Sequence, residues 1–333
     1  MIAAPFHAGE RAMQALAGSR EQMEVAGPRV IRDYMPDQHR EFFSLLPFIV
    51  AGSLDEELQP WASVLAGPAG FVHSPDATHL RIDALPAAGD PLIGQLKQGA
   101  TLGLLGMQPH TRRRNRMNGT VEALDGSGFM VAVQQSFGNC PRYIQAREPV
   151  FASPRSDAAP QVQWLDELDL AAHRLIGSAD TLFIATAYPN EAAAGDEADA
   201  SSHGVDVSHR GGRPGFVRID NDHEGDVLTV PDFNGNRFFN TLGNLAAHPR
   251  AGLLFVDFDS GDLLHVAVTA EIVWDGPEVA AFEGAERLMR FRVTHALRRP
   301  AALPLRWGDA QLSPHLAGTG QWNTGMRPLT DGR

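Results

Sequence analysis

The part of the sequence best suited to binding an anion is a polar loop at 234–237. The loop, Asn-Gly-Asn-Arg, follows a β-rich segment at 228–230 and precedes apolar residues at helical spacing. An Asn-Gly turn can adopt positive φ, and the helix that follows presents unbonded backbone N–H groups at its start. Together with the guanidinium of Arg237 and the side-chain amides of Asn236 and Asn240, these groups suit a phosphate. The same pattern is also common in turns that bind nothing.

A second candidate is the most basic stretch of the chain, at 111–119. If this stretch is a β-strand, Arg112, Arg114 and Arg116 lie on one face and Arg113 lies on the other. Such a face could bind the carboxylate or phosphate of a substrate. Because the net charge of the chain is −12, the same arginines could instead pair with the surplus acids, or they could lie on a solvated hairpin.

Other common catalytic patterns are missing from the sequence. Its 13 histidines include no His-x-x-x-His or His-Glu-x-x-His pair, so no metal site is predicted. The sequence also lacks the Gly-x-Ser-x-Gly motif and a phosphate loop ending in Gly-Lys-Ser/Thr, which argues against a serine hydrolase or a nucleoside triphosphatase. The single cysteine, Cys140, excludes an intrachain disulfide and fits a reducing compartment. Next to a proline it is best interpreted as a small buried residue, with a redox thiol as the alternative.

Strands are predicted on both sides of the polar loop. Segment 228–230 should end at Pro231-Asp232, and the apolar run at 252–256 should be a buried strand. Helices are expected within 8–46 and over 278–299, which is rich in Ala, Glu and Arg. These assignments place the polar loop between one strand and a short helix that leads into the next strand.

An internal repeat relates residues 47–124 to residues 182–273. The matched pairs are 48–49 with 183–184, 70–72 with 215–217, 80–82 with 228–230, 103–105 with 252–254, and Thr120 and Glu122 with Thr269 and Glu271. Each half consists of short strands separated by turn signals, as in a small barrel, and duplicated apolar faces can bury each other. The extra residues of the second half lie mainly at 190–202, an acidic loop predicted to be mobile.

The two halves differ at the place where the second half has its polar loop. The corresponding segment of the first half, 84–92, has no arginine, and Asp83 and Asp90 lie close by. Because these carboxylates would repel a phosphate, one phosphate site per chain is predicted, and it should belong to the second half.

Length and composition are those of an ordinary globular protein. The 333 residues are 43% hydrophobic and 20% charged, which suggests about two domains. The negative net charge and the lack of a long basic run argue against nucleic acid and anionic membranes as partners. Because the N-terminus lacks a signal-peptide pattern and no apolar run could span a bilayer, a cytoplasmic location is expected.

Several segments together resemble the pyridoxamine 5'-phosphate oxidase-like family of FMN-binding split β-barrels. The resemblance rests on Asp-Val-Ser-His-Arg-Gly-Gly-Arg-Pro-Gly-Phe-Val at 206–217, Pro-Asp at 231–232, Gly-Asn-Arg at 235–237 and Pro-Arg-Ala-Gly-Leu-Leu-Phe at 249–255. These motifs occur in the expected order within roughly 180–275. The resemblance is to a superfamily whose members oxidise or reduce substrates, degrade haem or only bind flavin.

Combined with the repeat, this resemblance implies a mainly β (α+β) fold of two tandem FMN-binding-type split barrels that form an intrachain pseudo-dimer. Residues 1–46 would be an N-terminal helical extension, and 47–150 would be the first barrel with its closing segment. Residues 151–333 would be the second barrel, which has the phosphate loop and continues into a C-terminal helix and tail. The fusion would reproduce within one chain the dimer that relatives commonly form around flavin.

The resemblance also implies FMN as the cofactor. The cofactor-binding residues that it implies are Ser208, His209, Arg210, Val230, Pro231, Asn236, Arg237 and Asn240 of the second barrel, and Asn139 and Tyr143 of the first. The expected activity is an FMN-dependent oxidoreductase that acts on a small molecule, with Arg112, Arg114 and Arg116 as candidates for substrate binding. The electron donor could be NAD(P)H or a reductase partner, and the chain could form a homodimer.

Two other functions are compatible with this resemblance. One is a haem-binding or haem-degrading split barrel, in which His209 or His265 would be the axial ligand. The other is a non-enzymatic flavin-binding protein. Pyridoxamine-phosphate oxidase activity itself is disfavoured, because that enzyme has a single barrel per subunit. The tail at 304–307 could fold over a flavin ring, or it could anchor the C-terminus.

Overall fold

Antiparallel β-sheet makes up most of the molecule. The computed structural model describes residues 4–152, 162–189 and 202–322. Within these ranges the chain forms two large sheets and a few short helices, so the prediction of a mainly β fold is confirmed. The same ranges contain no helix that is both long and apolar enough to cross a membrane. The loop predicted at 190–202 lies outside the described residues except for Ser202.

The first half begins with short helices and continues into a 7-stranded sheet. The helices are α1 (Ala8–Leu16), α2 (Arg20–Val30) and α3 (Asp37–Ser44). The strands are β1 (Phe48–Leu54), β2 (Pro60–Ala66), β3 (Val72–Asp76), β4 (His79–Ile82), β5 (Thr101–Gln108), β6 (Arg113–Asp125) and β7 (Gly128–Asn139). Their order in the sheet is β2-β1-β5-β6-β7-β4-β3.

The second half forms an 8-stranded sheet. Its elements in chain order are β8 (Pro149–Phe151), β9 (Gln163–Leu165), α4 (Leu170–Ser178), β10 (Thr181–Tyr188), β11 (Gly204–Gly211), β12 (Arg218–Asp222), β13 (Gly225–Phe233), α5 (Asn240–Ala247), β14 (Arg250–Val256), β15 (Leu263–Val273), α6 (Pro277–Ala281), β16 (Ala285–Arg299) and β17 (Leu305–Trp307). The sheet order is β11-β10-β14-β15-β16-β13-β12, and β9 pairs with β16. β17 pairs separately with β8.

The two sheets have the same strand order. Matching β1 with β10, β2 with β11, and β3 to β7 with β12 to β16 converts one order into the other. The segments of the sequence repeat lie on or next to these corresponding strands, with one correction. Gly52 pairs with Gly103, whereas Ala185 pairs with Gly252. Gly52 therefore corresponds to Ala185, and the first predicted match of the repeat is two residues out of register.

A shared apolar core joins the two sheets. Phe48 and Leu105 of the first sheet belong to the same buried cluster as Phe183 and Leu254 of the second sheet. Each sheet also has its own core on the opposite side of its strands. Burial of apolar surface between the sheets stabilises their association, at roughly 25 cal/mol per Å² of apolar area removed from water.

Glycines let the two backbones approach each other at two corresponding points. A Cβ atom on Gly103 of β5 would lie only 2.5 Å from the carbonyl oxygen of Val205 in β11. In the other half, a Cβ atom on Gly252 of β14 would lie 2.2 Å from the carbonyl oxygen of Pro60 in β2. Because any larger residue would separate the strands at these points, the glycines set the distance between the sheets.

The prediction of a helix over 278–299 is wrong. Only Pro277–Ala281 is helical, and the remaining residues form β16, which pairs with β13 on one side and β15 on the other. Arg292 of this strand donates to Asp222 of β12 at 2.8 Å, so its charge is accommodated on the sheet surface. Pairing with two neighbouring strands outweighs the helical propensity of the Ala, Glu and Arg residues.

The predicted end of a strand at Pro231-Asp232 is also wrong, because β13 continues to Phe233. Pairing of β13 with β12 ends at Thr229, while pairing with β16 continues along Pro231 and Asp232. Beyond Thr229 one edge of β13 has no neighbouring strand, and a proline, which has no N–H, is tolerated at such an edge. The extension carries the strand to the polar loop.

The C-terminal segment anchors the chain. β17 pairs with β8, and the ring of Trp307 lies 5.4 Å from the ring of Phe48 and 4.9 Å from that of Phe258. Of the two roles considered for 304–307, the structure therefore supports the anchor.

Candidate functional site

A cleft that is partly open to solvent is lined by residues from both halves of the chain. β6, the end of β7 and the segment 140–143 contribute from the first half. β11, residues between 231 and 242, and the start of β16 contribute from the second half. Clefts that combine apolar walls with a few polar groups are the usual sites of small-molecule binding.

The structure brings most of the predicted site residues together around this cleft. Those that line it are Asn139, Tyr143, Ser208, His209, Arg210, Pro231, Asn236, Arg237, Asn240, Arg114 and Arg116. Val230 does not, because the alternation of side chains along β13 turns it into the core of the second sheet, where it is 0% exposed. The structure therefore does not bring the side chain of Val230, which was predicted to bind the cofactor, to the cleft.

Arg112 also lies away from the cleft lining. It precedes β6 in a left-handed conformation, with φ 55°, so it does not share a strand face with Arg114 and Arg116. Its guanidinium donates to the carbonyl oxygens of Ile144 at 3.1 Å and Gln311 at 3.2 Å. The predicted face of three arginines is thus reduced to two, and Arg112 holds the C-terminal segment against the first half.

Arg116 links the wall of the cleft to a buried carboxylate. It is 3% exposed and donates to Asp206 at 2.9 Å and to the hydroxyl oxygen of Ser208. The hydroxyl of Thr241 also donates to Ser208, at 3.1 Å. Because the Ser208 oxygen accepts two hydrogen bonds, its own proton is directed elsewhere and can be donated to an acceptor in the cleft. Asp206 also accepts from Asn118 at 2.7 Å, so its carboxylate is well supplied with donors.

Arg114 is fixed between the end of β7 and β11. Its Nε donates to the carbonyl oxygen of Cys140 at 2.8 Å, and one Nη lies 3.2 Å from Nδ1 of His209. Burial lowers the pKa of Arg114 to about 10, so the guanidinium stays charged at neutral pH. Cys140 was predicted to be a buried residue. In the structure it is only half-buried, and it lines the cleft.

His209 is a neutral imidazole with a defined tautomer. It is 2% exposed, and burial, followed by the charges of Arg114 and Arg210, holds its pKa well below the usual value. Because a guanidinium can only donate, Nδ1 of His209 is the acceptor and Nε2 carries the proton. Nε2 has no hydrogen-bond partner within the described part of the chain. His209 therefore offers the cleft a hydrogen-bond donor without a charge.

A compact charged group forms another wall of the cleft. Arg287 of β16 donates to Asp232 at 2.9 Å and to Glu286 at 2.6 Å, and Nε of Arg210 lies 3.5 Å from Asp232. The Arg287 guanidinium also lies over the ring of Phe239, 5.0 Å from its centre. The two carboxylates keep both arginines oriented, while cations remain in excess around the cleft as a whole.

Strained backbone conformations cluster at the mouth of the cleft. Tyr143, Arg237 and Phe239 all adopt positive φ, at 62°, 62° and 64°, although none is a glycine. Such conformations cost of the order of 1–3 kcal/mol each and are typical of ligand-binding sites. The side chain of Arg237 is exposed, and no hydrogen bond or ion pair fixes it to another of the described residues.

Asn236 of the polar loop and Asn240 of α5 make different contacts. Asn236 donates to the side-chain oxygen of Asn139 at 3.2 Å and accepts from the N–H of Phe238 at 3.1 Å. This contact orients Asn139 so that its amide N–H₂ remains unbonded. Asn240, in contrast, donates its amide to the carboxyl of Glu10. One of its two N–H groups is therefore engaged, which leaves one donor for the predicted contact with a phosphate.

Several buried donors around the cleft have no acceptor. They are Nε of Arg116, Nδ2 of Asn139, Nε2 of His209, Nε of Arg210 and Nε of Arg287, counted over the residues that the structure describes. A buried donor without an acceptor costs roughly 1–3 kcal/mol, and so this concentration indicates a ligand rich in acceptor atoms. FMN fits this requirement, because its phosphate and the carbonyl and ring-nitrogen atoms of its flavin ring are acceptors.

Some functional residues were missed at the level of sequence. Asp206 is one of them, and because it lies two residues before the predicted Ser208 on the same strand, strand alternation could have placed it beside the cleft. Arg287 was hidden by the mistaken helix at 278–299. Glu10 comes from the N-terminal extension, and no local pattern in the sequence connects it with Asn240.

Comparisons with known proteins yield structural likenesses only. No family model matches the sequence, and no curated protein matches it. A single-substitution variant of HupZ from Group A Streptococcus is 12% identical, covers 39% of this chain and 98% of its own, and has a TM-score of 0.28. A putative pyridoxamine 5'-phosphate oxidase from Lactobacillus delbrueckii is 14% identical, covers 39% of this chain and 93% of its own, and also has a TM-score of 0.28.

A third similar structure is HutZ, the heme storage protein from Vibrio cholerae. It is 14% identical and covers 38% of this chain and 89% of its own, with a TM-score of 0.22. The similar structures thus include both a putative oxidase and a heme protein. At these identities and TM-scores they do not distinguish a flavin from a haem, so that choice rests on the cleft itself.

Proposed function

We propose that this chain is an FMN-dependent oxidoreductase in which two tandem split barrels, arranged as an intrachain pseudo-dimer, hold one FMN in the cleft. The observation that supports this most directly is the set of unpaired buried donors, which come from both halves and surround one space. The motifs shared with FMN-binding split barrels fall on the same walls. Bound FMN would supply hydride or electron transfer, and the chain would bind and orient it.

Each part of the cleft suits a different part of FMN. The exposed guanidinium of Arg237 and the loop before α5 suit the phosphate. The donors of Asn139, Ser208 and His209 suit the acceptor atoms of the flavin ring. Excess positive charge near the ring would stabilise the anionic form of a reduced flavin, which favours reduction. We propose a small molecule as the substrate and NAD(P)H or a reductase partner as the electron donor.

Haem is the second candidate, and the contacts of the two histidines count against it. His209 lines the cleft, but a ligating histidine usually donates its other ring N–H to an acceptor, and here Nδ1 faces the guanidinium of Arg114. His265 does donate from Nδ1 to the carbonyl oxygen of Ala62, at 2.9 Å, but it is 0% exposed and lies away from the cleft. Flavin is therefore the better fit.

Ligand titrations of the purified protein test this proposal. We expect FMN to bind and to show the visible bands of a protein-bound flavin, and hemin to produce no Soret shift. Arg237→Ala should weaken FMN binding about 10- to 100-fold, because a charge-assisted hydrogen bond contributes ~1.5–3 kcal/mol, and should change riboflavin binding little. Arg174→Ala, at an exposed arginine of α4, is the matched control. Binding of hemin but not FMN by the wild-type protein would overturn the proposal.

A further inference from the structure

The start of the chain packs directly against α5, which follows the polar loop. A Cβ atom on Gly9 of α1 would lie 2.2 Å from the carbonyl oxygen of Gly243 in α5, so the two helix backbones touch. Gln14 of α1 donates to the carbonyl oxygen of Phe238 at 3.1 Å, and the ring of Phe6 lies 5.6 Å from the ring of Phe238. The N-terminal extension therefore supports the loop from behind.

Glu10 occupies the centre of this contact. It is 2% exposed, accepts a hydrogen bond from the N–H of His7 at 2.9 Å, and accepts another from the side-chain amide of Asn240. Asn240 is the first residue of α5 and lines the cleft. Only Asn240 therefore separates the carboxyl of Glu10 from the part of the cleft at which we place the phosphate of FMN.

The surroundings of Glu10 favour its neutral form. Burial raises its pKa well above the ordinary value, and the carboxylate of Asp206 in β11 raises it further. The hydrogen bonds that Glu10 accepts from the N–H of His7 and from the amide of Asn240 oppose this shift, and so does the charge of Arg116 in β6, but their effects are smaller. The groups of α5 that face Glu10, Asn240 and Asn244, are uncharged, and Asn244 is bonded to Asp206 at 2.8 Å. The titratable side chain nearest to Glu10 is the imidazole of His7, whose Nε2 lies 3.5 Å from the carboxyl and 2.8 Å from the side-chain oxygen of Asn244. Glu10 is thus a buried acid that keeps its proton far above the range in which an exposed glutamic acid loses it.

We propose that Glu10 is a positioning residue of the cleft, which in its neutral form holds Asn240 and the start of α5 in place for an anion and in its ionised form opposes that anion. A negative charge at the first turn of α5 would cancel part of the positive potential that a helix N-terminus offers to a phosphate. Anion binding in the cleft would therefore weaken as the pH rises through the titration of Glu10. This inference rests on the proposed binding of FMN.

The same titration affects the stability of the N-terminal extension, with a definite sign. Because the pKa of Glu10 is higher in the folded protein than in the unfolded chain, the folded state binds more protons between these two values. The stabilisation is fully present below the unfolded pKa and is lost as the pH rises through the folded pKa. Packing of α1 on α5 should therefore loosen at alkaline pH in the wild-type protein.

The test compares the wild-type protein with Glu10→Gln and Glu10→Ala. Dissociation constants for FMN and for riboflavin are measured between about pH 6 and about pH 9, a window above the usual carboxyl range. The ratio of the two constants isolates the contribution of the phosphate, whose own titration is the same in every variant. We expect this ratio to show the wild-type protein losing roughly three- to tenfold in phosphate affinity across the window, and Glu10→Gln losing none beyond the titration of the phosphate.

A second readout does not depend on the cofactor. Hydrogen exchange of residues 8–16 should speed up with pH in the wild-type protein more than the intrinsic rate does, and this extra increase should be missing in Glu10→Gln. Glu10→Ala should exchange faster at every pH, because it loses both hydrogen bonds. Glu21→Gln, at an exposed position of α2, is the matched control.

The possible results separate this inference from the proposed function. Parallel pH profiles of the wild-type protein and Glu10→Gln, in binding and in exchange, would overturn the role of Glu10 while leaving FMN binding intact. If neither protein binds FMN at any pH, the proposed function and the anion part of this inference both fail, whatever the exchange data show.

Discussion

At the scale of single residues, the cleft depends on donors that are held in place by buried acids. Asp206 fixes Arg116, and Arg116 in turn donates to Ser208, whose own proton is left for a ligand. Such a donor binds a ligand more favourably because it is already oriented. The hydrogen bonds that orient it form before the ligand binds, so binding costs less conformational entropy.

Ser208→Ala tests this arrangement. Loss of one neutral hydrogen bond, worth ~0.5–1.5 kcal/mol, should weaken FMN and riboflavin alike by roughly two- to tenfold. In calorimetric titrations this common effect distinguishes Ser208 from Arg237, whose removal should affect FMN alone. Thermal unfolding should also shift downward, because Arg116 loses an acceptor.

Ser178→Ala, at an exposed serine of α4, is the control for the Ser208 variant. A Ser208 variant that loses FMN affinity but keeps its riboflavin affinity would show that the hydroxyl contacts the phosphate side instead of the ring.

The sequence predicts which residue types meet at the cleft better than it predicts their individual contacts. The motifs at 206–217 and 235–237 predicted that Ser208 to Arg210 and Arg237 meet at one site. This was possible because the same motifs in the same order indicate the same course of the backbone. Arg112 could not be placed in this way, since a left-handed turn just before β6 reverses its direction. Asn240 was predicted at the site, but its contact with Glu10 was not, because the two residues are 230 positions apart in the chain.

At the scale of elements, the contact of α1 with α5 is a tight backbone contact next to the site. A Cβ atom on Gly243 would lie 2.5 Å from the backbone nitrogen of Glu10. Any side chain at this position would therefore push the backbones of α1 and α5 apart. A flexible side chain could relieve such a clash by rotating, but the backbone of α1 cannot.

Gly243→Ala should therefore displace α1 from α5. We expect a loss of roughly 1–3 kcal/mol in the free energy of unfolding and a weaker affinity for FMN, because the loop loses its support. Denaturant titrations and FMN binding measure the two effects.

Gly177→Ala in α4 is a matched control for this variant, because a Cβ atom there meets nothing within 4 Å. Alanine favours a helix over glycine by up to ~1 kcal/mol, so the control should be slightly stabilised and bind FMN normally. Equal stability of the two variants would contradict the close contact of α1 and α5.

Elements near the repeat are predictable from sequence, whereas those that depend on distant pairing are not. The strands at 228–230 and 252–256 follow from short apolar runs between turn residues. The segment that forms β16 was predicted to be a helix. Its arginines are paired by residues elsewhere in the chain, as Arg292 is by Asp222 of another strand, and the local sequence does not show this pairing.

At the scale of the whole molecule, the two halves share a strand order but differ at their corresponding sites. By strand register, Ser63 corresponds to Ser208, His265 to Arg116 and Arg299 to Asn139. In the first half this place is filled by the carboxylate of Asp90, which accepts hydrogen bonds from Ser63 and, at 2.6 Å, from Arg299.

Asp90 thus explains the predicted inequality of the halves in a way that sequence alone could not. The sequence showed an acid that would repel a phosphate, but not the buried arginine that it pairs with 209 residues later in the chain. The carboxylate of Asp90 accepts hydrogen bonds from donors that correspond to donors of the open cleft. This correspondence supports a ligand rich in acceptor atoms in the open cleft. One FMN per chain is therefore expected.

Asp90→Ala tests whether this carboxylate closes the first-half site. Arg299 is 1% exposed, and loss of its partner should cost about 3–5 kcal/mol of unfolding free energy. Acetate or formate should restore part of that loss in thermal unfolding, because a small carboxylate can replace the missing side chain, whereas chloride should restore less. Asp83→Ala, at a partly exposed acid paired with Arg81, should lose little and gain nothing from acetate. FMN should still bind the Asp90 variant at one equivalent per chain, since Asp90 does not line the cleft that holds it. A second equivalent would show instead that the first half retains a complete flavin site.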